Sequence, residues 1–126
     1  MNNSPIGVYD SGFGGLSVWR EIHRRLPEES LLYLGDGKNC PYGGRSREEI
    51  TAFAREAVER LISEGVKMVV VGCNTATTAA VDALRAEWPD IPIVGLEPAV
   101  KPACLSSRTR RIAVLATAHS LQSDMF

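Results

Sequence analysis

The sequence predicts an α/β domain, a three-layer sandwich around a mostly parallel sheet of about five strands. Its strand candidates are short, continuous apolar runs such as Met68-Val69-Val70-Val71, the pattern of strands covered on both faces. Segments with helical character stand between them, which gives the alternation that right-handed crossovers require. The junctions after the runs collect glycine, small polar residues and the least ordinary side chains of the chain.

The elements follow in order. Residues 5–9 form the first strand candidate, and helix 15–26 follows the turn Asp10-Ser11-Gly12-Phe13-Gly14-Gly15. A second strand over 30–35 runs into a loop at 36–45, whose Gly, Pro and Asn residues break regular structure. Helix 46–64 has the clearest period: Ile50, Phe53, Ala54, Ala57, Val58, Leu61 and Ile62 recur at i, i+3, i+4 and i+7. Ser46 and Glu49 have the spacing of a capping box, and Gly65 closes the segment. Strand 67–72, helix 75–87, strand 91–95, a helix near 98–106 and a fifth strand over 111–116 complete the pattern.

Composition narrows the function. With 126 residues the chain is one domain in size, and its 44% hydrophobic and 23% charged content is that of a globular protein. A formal net charge of -1 gives no electrostatic reason to expect nucleic acid or an anionic membrane as partner. No apolar run approaches the roughly 20 residues that span a bilayer. The start, Met1-Asn2-Asn3-Ser4-Pro5, lacks the basic and apolar parts of a secretory signal. Three cysteines, an odd number without scaffold spacing, point to reduced thiols in a cytoplasm. No CxxC, HExxH or EF-hand pattern suggests a metal site. The stretch Ser120–Phe126 reads as the opening of a further helix. Residues 1–116 are therefore expected to form an amino-terminal domain, and 117–126 the start of a connection to a second domain outside this chain.

In parallel α/β sheets ligands sit beyond the carboxyl ends of the strands, near a topological switch point. That rule selects the loops at 10–15, 36–45, 73–75, 96–98 and 117–120. Cys73 ends one apolar run just where a helix begins, and there the dipole and unpaired N–H groups favour a thiolate. A buried packing cysteine is the plainer alternative. The loop after the first strand is not a dinucleotide site: position 17 is Ser17 where the third glycine of GxGxxG would stand, and Asp10 would repel a pyrophosphate. Asp10 and Ser11 are also open to a simpler role, capping helix 15–26. Tyr42 brings a hydroxyl and an aromatic wall to the 36–45 loop. His119 lies at the same edge as Cys73, which leaves a Cys/His nucleophilic pair open.

Together, Asp10-Ser11-Gly12-Phe13-Gly14-Gly15, Pro41-Tyr42-Gly43, Cys73-Asn74-Thr75-Ala76 and Glu97-Pro98-Ala99-Val100-Lys101-Pro102-Ala103 resemble the glutamate racemases of the aspartate/glutamate racemase superfamily. The resemblance runs over essentially the whole chain. It implies a two-domain, cofactor-independent enzyme that interconverts L- and D-glutamate and supplies D-glutamate for peptidoglycan, with a homodimer left open. Two cysteines on opposite faces of the substrate α-carbon exchange its proton, and the resemblance assigns the first of them to Cys73. It also implies substrate contacts from Asp10, Ser11, Tyr42, Gly43, Asn74 and Thr75. No lysine suggests a Schiff base with pyridoxal phosphate. The second cysteine of the family stands in a Cys-Thr-His motif that this chain lacks, and neither Cys40 nor Cys104 replaces it. The family's Thr-x-x-Thr is here Thr117-Ala118-His119-Ser120, which leaves the contact at that place open. Two rival readings remain: a hydrolase or transferase using Cys73 with His119, and a non-catalytic ligand-binding module.

Overall fold

In the computed structural model, which describes residues 2–125, four parallel strands form one sheet in the order β2-β1-β3-β4. They are β1 (Ile6–Asp10), β2 (Leu31–Gly35), β3 (Met68–Val71) and β4 (Ile93–Gly95). The helices are α1 (Leu16–Arg25), α2 (Arg47–Ser63), α3 (Asn74–Glu87), α4 (Val100–Ser106) and the single turn α5 (Ala118–Leu121). β1 pairs with β2 on one side, Ile6 opposite Leu31, and with β3 on the other, Ile6 opposite Met68. Successive connections therefore leave β1 in opposite directions. The crevice at such a switch point opens between the carboxyl ends of β1 and β3, which carry Asp10 and Cys73.

Alternation along the strands divides the core in two. Tyr9, Val69 and Val71 face α2 and α3, where Ile50, Ala54, Val58, Leu61, Ala80 and Leu84 complete the larger cluster. Ile6, Val8 and Val70 face α1, against Val18, Trp19 and Ile22. The helical period read over 46–64 buries as expected: Ile50, Ala54, Ala57, Val58 and Leu61 are buried, with Phe53 and Ile62 packed at the margin. Ile50, Val58 and Leu61 each contribute about 1.5–3 kcal/mol on removal from water. The capping box forms in both directions: Glu49 N–H donates to Ser46 Oγ at 3.1 Å, and Ser46 N–H to Glu49 Oε2 at 2.9 Å. The bond from the Ser46 N–H to its carboxylate lowers the Glu49 pKa. Gly65 ends the helix with φ +79°, a conformation that side-chain-bearing residues resist.

The expected fifth strand does not form. Residues 111–116 have strand composition but no pairing among the described residues, and all six are exposed. Leu115 is 100% exposed. β-propensity expresses a fit to a half-buried pleated surface, and this segment has no such surface under it. The sheet is thus one of four strands rather than five. Beyond the segment the chain returns to the body, and α5 packs on α3.

Candidate functional site

Cys73 is the N-cap of α3, its side chain buried with 6% exposure. The Sγ accepts the Ala76 N–H at 3.4 Å and lies 3.4 Å from Ser11 Oγ, to which the thiol donates. Its burial is that of a packing residue. Its partners are not, since both are polar and one comes from the loop after β1. Among the described residues no backbone acceptor takes the Asn74 or Thr75 N–H, the first donors of α3. An anion held there would gain hydrogen bonds and the favourable end of the helix dipole.

Asp10 serves its own turn. Its Oδ2 accepts the N–H groups of Gly12 and Gly15, both at 3.1 Å, and so holds the entry to α1. The capping reading of Asp10 is therefore correct in part, although the N-cap position itself is Gly15, without a side-chain cap. A Cβ on Gly15 would stand 2.6 Å from Asp10 Cβ, which explains the glycine by close approach rather than by φ. Tyr33, from β2, ties the same loop by donating to Gly12 O at 2.7 Å. Burial first, then the charge of nearby Asp10, pushes the Tyr33 phenol up to about 12. It stays protonated and remains a donor.

The 36–45 loop lies beside the 10–15 loop: a Cβ on Gly12 would meet Cys40 Sγ at 3.7 Å. The Tyr42 hydroxyl that the sequence brings to this loop points into the fold. The ring is 2% exposed, and the hydroxyl donates to Asp36 Oδ2 at 2.6 Å and meets Tyr9 Oη at 2.6 Å. Burial, then the bond to the Asp36 carboxylate, raises the Tyr42 pKa far above the ordinary phenol value. The hydroxyl is thus engaged within the fold, while the Tyr42 N–H has no backbone acceptor among the described residues. Gly43 beside it approaches Thr117, whose Cγ2 would lie 3.0 Å from a Cβ placed there.

Thr117, left open by the sequence, closes this edge. It caps α5, accepting the Ser120 N–H at 3.3 Å and donating to Ser120 Oγ at 3.0 Å. Its Oγ1 also lies 3.2 Å from Thr75 Oγ1. Ser11, Cys73, Thr75, Thr117 and Gly43 are thus linked at one rim, with Asp10 beneath it and Asn74 exposed beside them. His119 makes no hydrogen bond to Cys73 among the described residues, so the geometry gives no nucleophile–base pair. Glu97 is exposed. A separate cavity of about 520 Å³ opens between β2 and α2, lined by Leu32, Leu34, Phe53, Glu56, Arg60 and others. It holds no thiol and none of the rim residues around Cys73, so its chemistry does not compete with theirs. No helix among the described residues is long and apolar enough to cross a membrane.

The family model described as Asp/Glu/Hydantoin racemase matches residues 6–126. The chain belongs to that family. Among its relatives the glutamate racemase of Stutzerimonas stutzeri is 51% identical over 123 residues, covering 98% of this chain and 47% of that protein. The glutamate racemase of Roseiflexus sp. is 50% identical over 121 residues, covering 96% of this chain and 44% of its own length. A crystal structure of a glutamate racemase isoform from Bacillus anthracis superposes with a TM-score of 0.85 at 44% identity, over 99% of this chain and 47% of that one. The Francisella tularensis glutamate racemase, solved in complex with D-glutamate, gives 0.83 at 32% identity over the same shares. The chain spans about half the length of the racemases it matches.

Proposed function

We propose that this chain is the amino-terminal half of a glutamate racemase, contributing one of two thiols that exchange the α-proton of glutamate without a cofactor. The observation that carries the reading is the Cys73 thiol at the switch point, bonded to Ser11 and seated at the first turn of α3. The racemase relatives at about half identity supply the substrate class.

In this reading Cys73 as thiolate takes the α-proton from one face of glutamate. The C–H bonding pair moves toward the α-carboxylate, and an opposing thiol delivers a proton to the other face. The N–H groups of Asn74 and Thr75 and the hydroxyls of Ser11 and Thr75 suit the carboxylate on which that charge grows. Tyr42 and Gly43 contribute backbone donors, since neither N–H has a backbone acceptor among the described residues. Asp10 faces the ammonium end or orders the loop that carries Ser11.

Residues 1–116 act as the amino-terminal domain and 117–126 begin the connection to the domain that carries the opposing thiol. The activity belongs to the cytoplasm, where D-glutamate enters peptidoglycan synthesis. The test is proton NMR of L- and D-glutamate with the purified chain in heavy water. Deuterium should enter the α-position of one enantiomer with retention, and Cys73→Ser should abolish it. Incorporation equal to that of Cys73→Ser overturns the reading, and rapid racemisation overturns the half-site account.

A further inference from the structure

Tyr9 lies at the centre of the sheet and is 0% exposed, yet it carries a polar hydroxyl into the main core. The proton order around it can be derived. Tyr42 has one hydroxyl proton and gives it to Asp36 Oδ2. The Tyr9–Tyr42 contact at 2.6 Å must therefore run from Tyr9 as donor to Tyr42 as acceptor. Asp36 is itself held by Asn39, whose N–H donates to Oδ1 and whose side-chain amide donates to both oxygens. A fixed row of donors results: Tyr9 to Tyr42 to Asp36. Burial holds both phenols well above their ordinary pKa, so neither proton leaves at neutral pH.

Packing alone would not select this row, since a phenylalanine pair would fill nearly the same space without burying hydroxyls. Its return is directional. The Pro41–Gly43 stretch has little backbone bonding of its own: among the described residues it makes one turn bond, from Arg45 N–H to Tyr42 O at 3.0 Å. The position of Gly43 opposite Thr117 therefore depends on where the Tyr42 side chain is held.

We propose that Tyr9 is a positioning residue for the racemase site: acting through Tyr42 and Asp36, it fixes the Tyr42–Gly43 backbone at the rim that faces Thr75 and Thr117. The inference rests on the reading of Tyr42 and Gly43 as substrate contacts. Its test compares the wild-type chain with Tyr9→Phe, which keeps the ring and removes the donor. Hydrogen exchange at the Arg45 amide should quicken roughly tenfold, while the Ala54 amide inside α2 changes less than about twofold. In the heavy-water assay the glutamate concentration giving half-maximal exchange should rise roughly tenfold, while the rate of Cys73 alkylation by iodoacetamide without glutamate stays unchanged. Adding Tyr9→Phe to Tyr42→Phe should do nothing further, since the two act as one unit.

Unchanged glutamate dependence in Tyr9→Phe, with wild type active, overturns the positioning role and leaves the racemase reading standing. Absence of Cys73-dependent exchange in wild type overturns both. Should Tyr9→Phe fail to fold, Asp36→Ala removes the other end of the row, and the same readouts decide.

Discussion

The sheet and its helices, residues 6–95, and the segment at 107–117 are built from similar residues and end in opposite states. Met68-Val69-Val70-Val71 and Arg111-Ile112-Ala113-Val114-Leu115-Ala116 both read as strands. The first is held between β1 and β4 and buried from Val69 onward; the second is unpaired and exposed. A strand is decided by the edge available to it and the surface beneath it. Composition alone makes only a candidate. The same contrast bears on the site, because Thr117 is carried to the rim by the exposed segment and depends on short polar contacts rather than on a core.

The largest expected effect breaks the comparison directly. Leu61→Ala, in the main cluster at 1% exposure, should cost about 2–5 kcal/mol in urea unfolding. Leu115→Ala at 100% exposure should change stability by less than about 0.5 kcal/mol. Equal losses would mean that 111–116 packs in solution.

Alkaline pH sharpens the same contrast, since Tyr9, Tyr33 and Tyr42 all belong to the body or its loops. Each has a folded pKa above the unfolded value of 10.0, so the folded chain holds the phenolic protons more firmly. Their contribution is complete below pH 10 and is lost as pH rises through the folded values, for Tyr33 about 12. The urea midpoint should hold up to about pH 10 and fall between about pH 10 and pH 12. A midpoint that holds steady across that window would contradict the burial of these hydroxyls.

The smallest effect concerns the tether between the two regions. Thr117→Val removes the bonds to Thr75 and Ser120 at a cost of about 1 kcal/mol. Amide exchange in α5 should accelerate while that of α2 does not, a pattern readable by NMR. Uniform acceleration would show that α5 is part of the main cooperative unit.

Much of this was legible in the residues. The period of Ile50 to Ile62, the Ser46/Glu49 box and Gly65 define α2 because each is a local device acting within a few residues. Cys73 at a run's end marked the rim for the same reason. Tyr42 was legible as a rim residue, but the direction of its hydroxyl was not, because Asp36 and Tyr9 reach it only through the fold. Tyr33 and Tyr9 gave no local sign of their bonds, which span 21 and 33 residues. The fifth strand misled because its residues satisfy every local criterion.

The sequence by itself determined the βα alternation, the buried face of α2, the turns at glycine and the thiol at the head of α3, since these follow from short-range periodicity and capping. Only the tertiary structure decided the strand order that sets the ends of β1 and β3 side by side. It also decided the inward turn of Tyr42 and the isolation of 111–116. Those outcomes depend on which distant surfaces meet, and no short window of residues contains that choice.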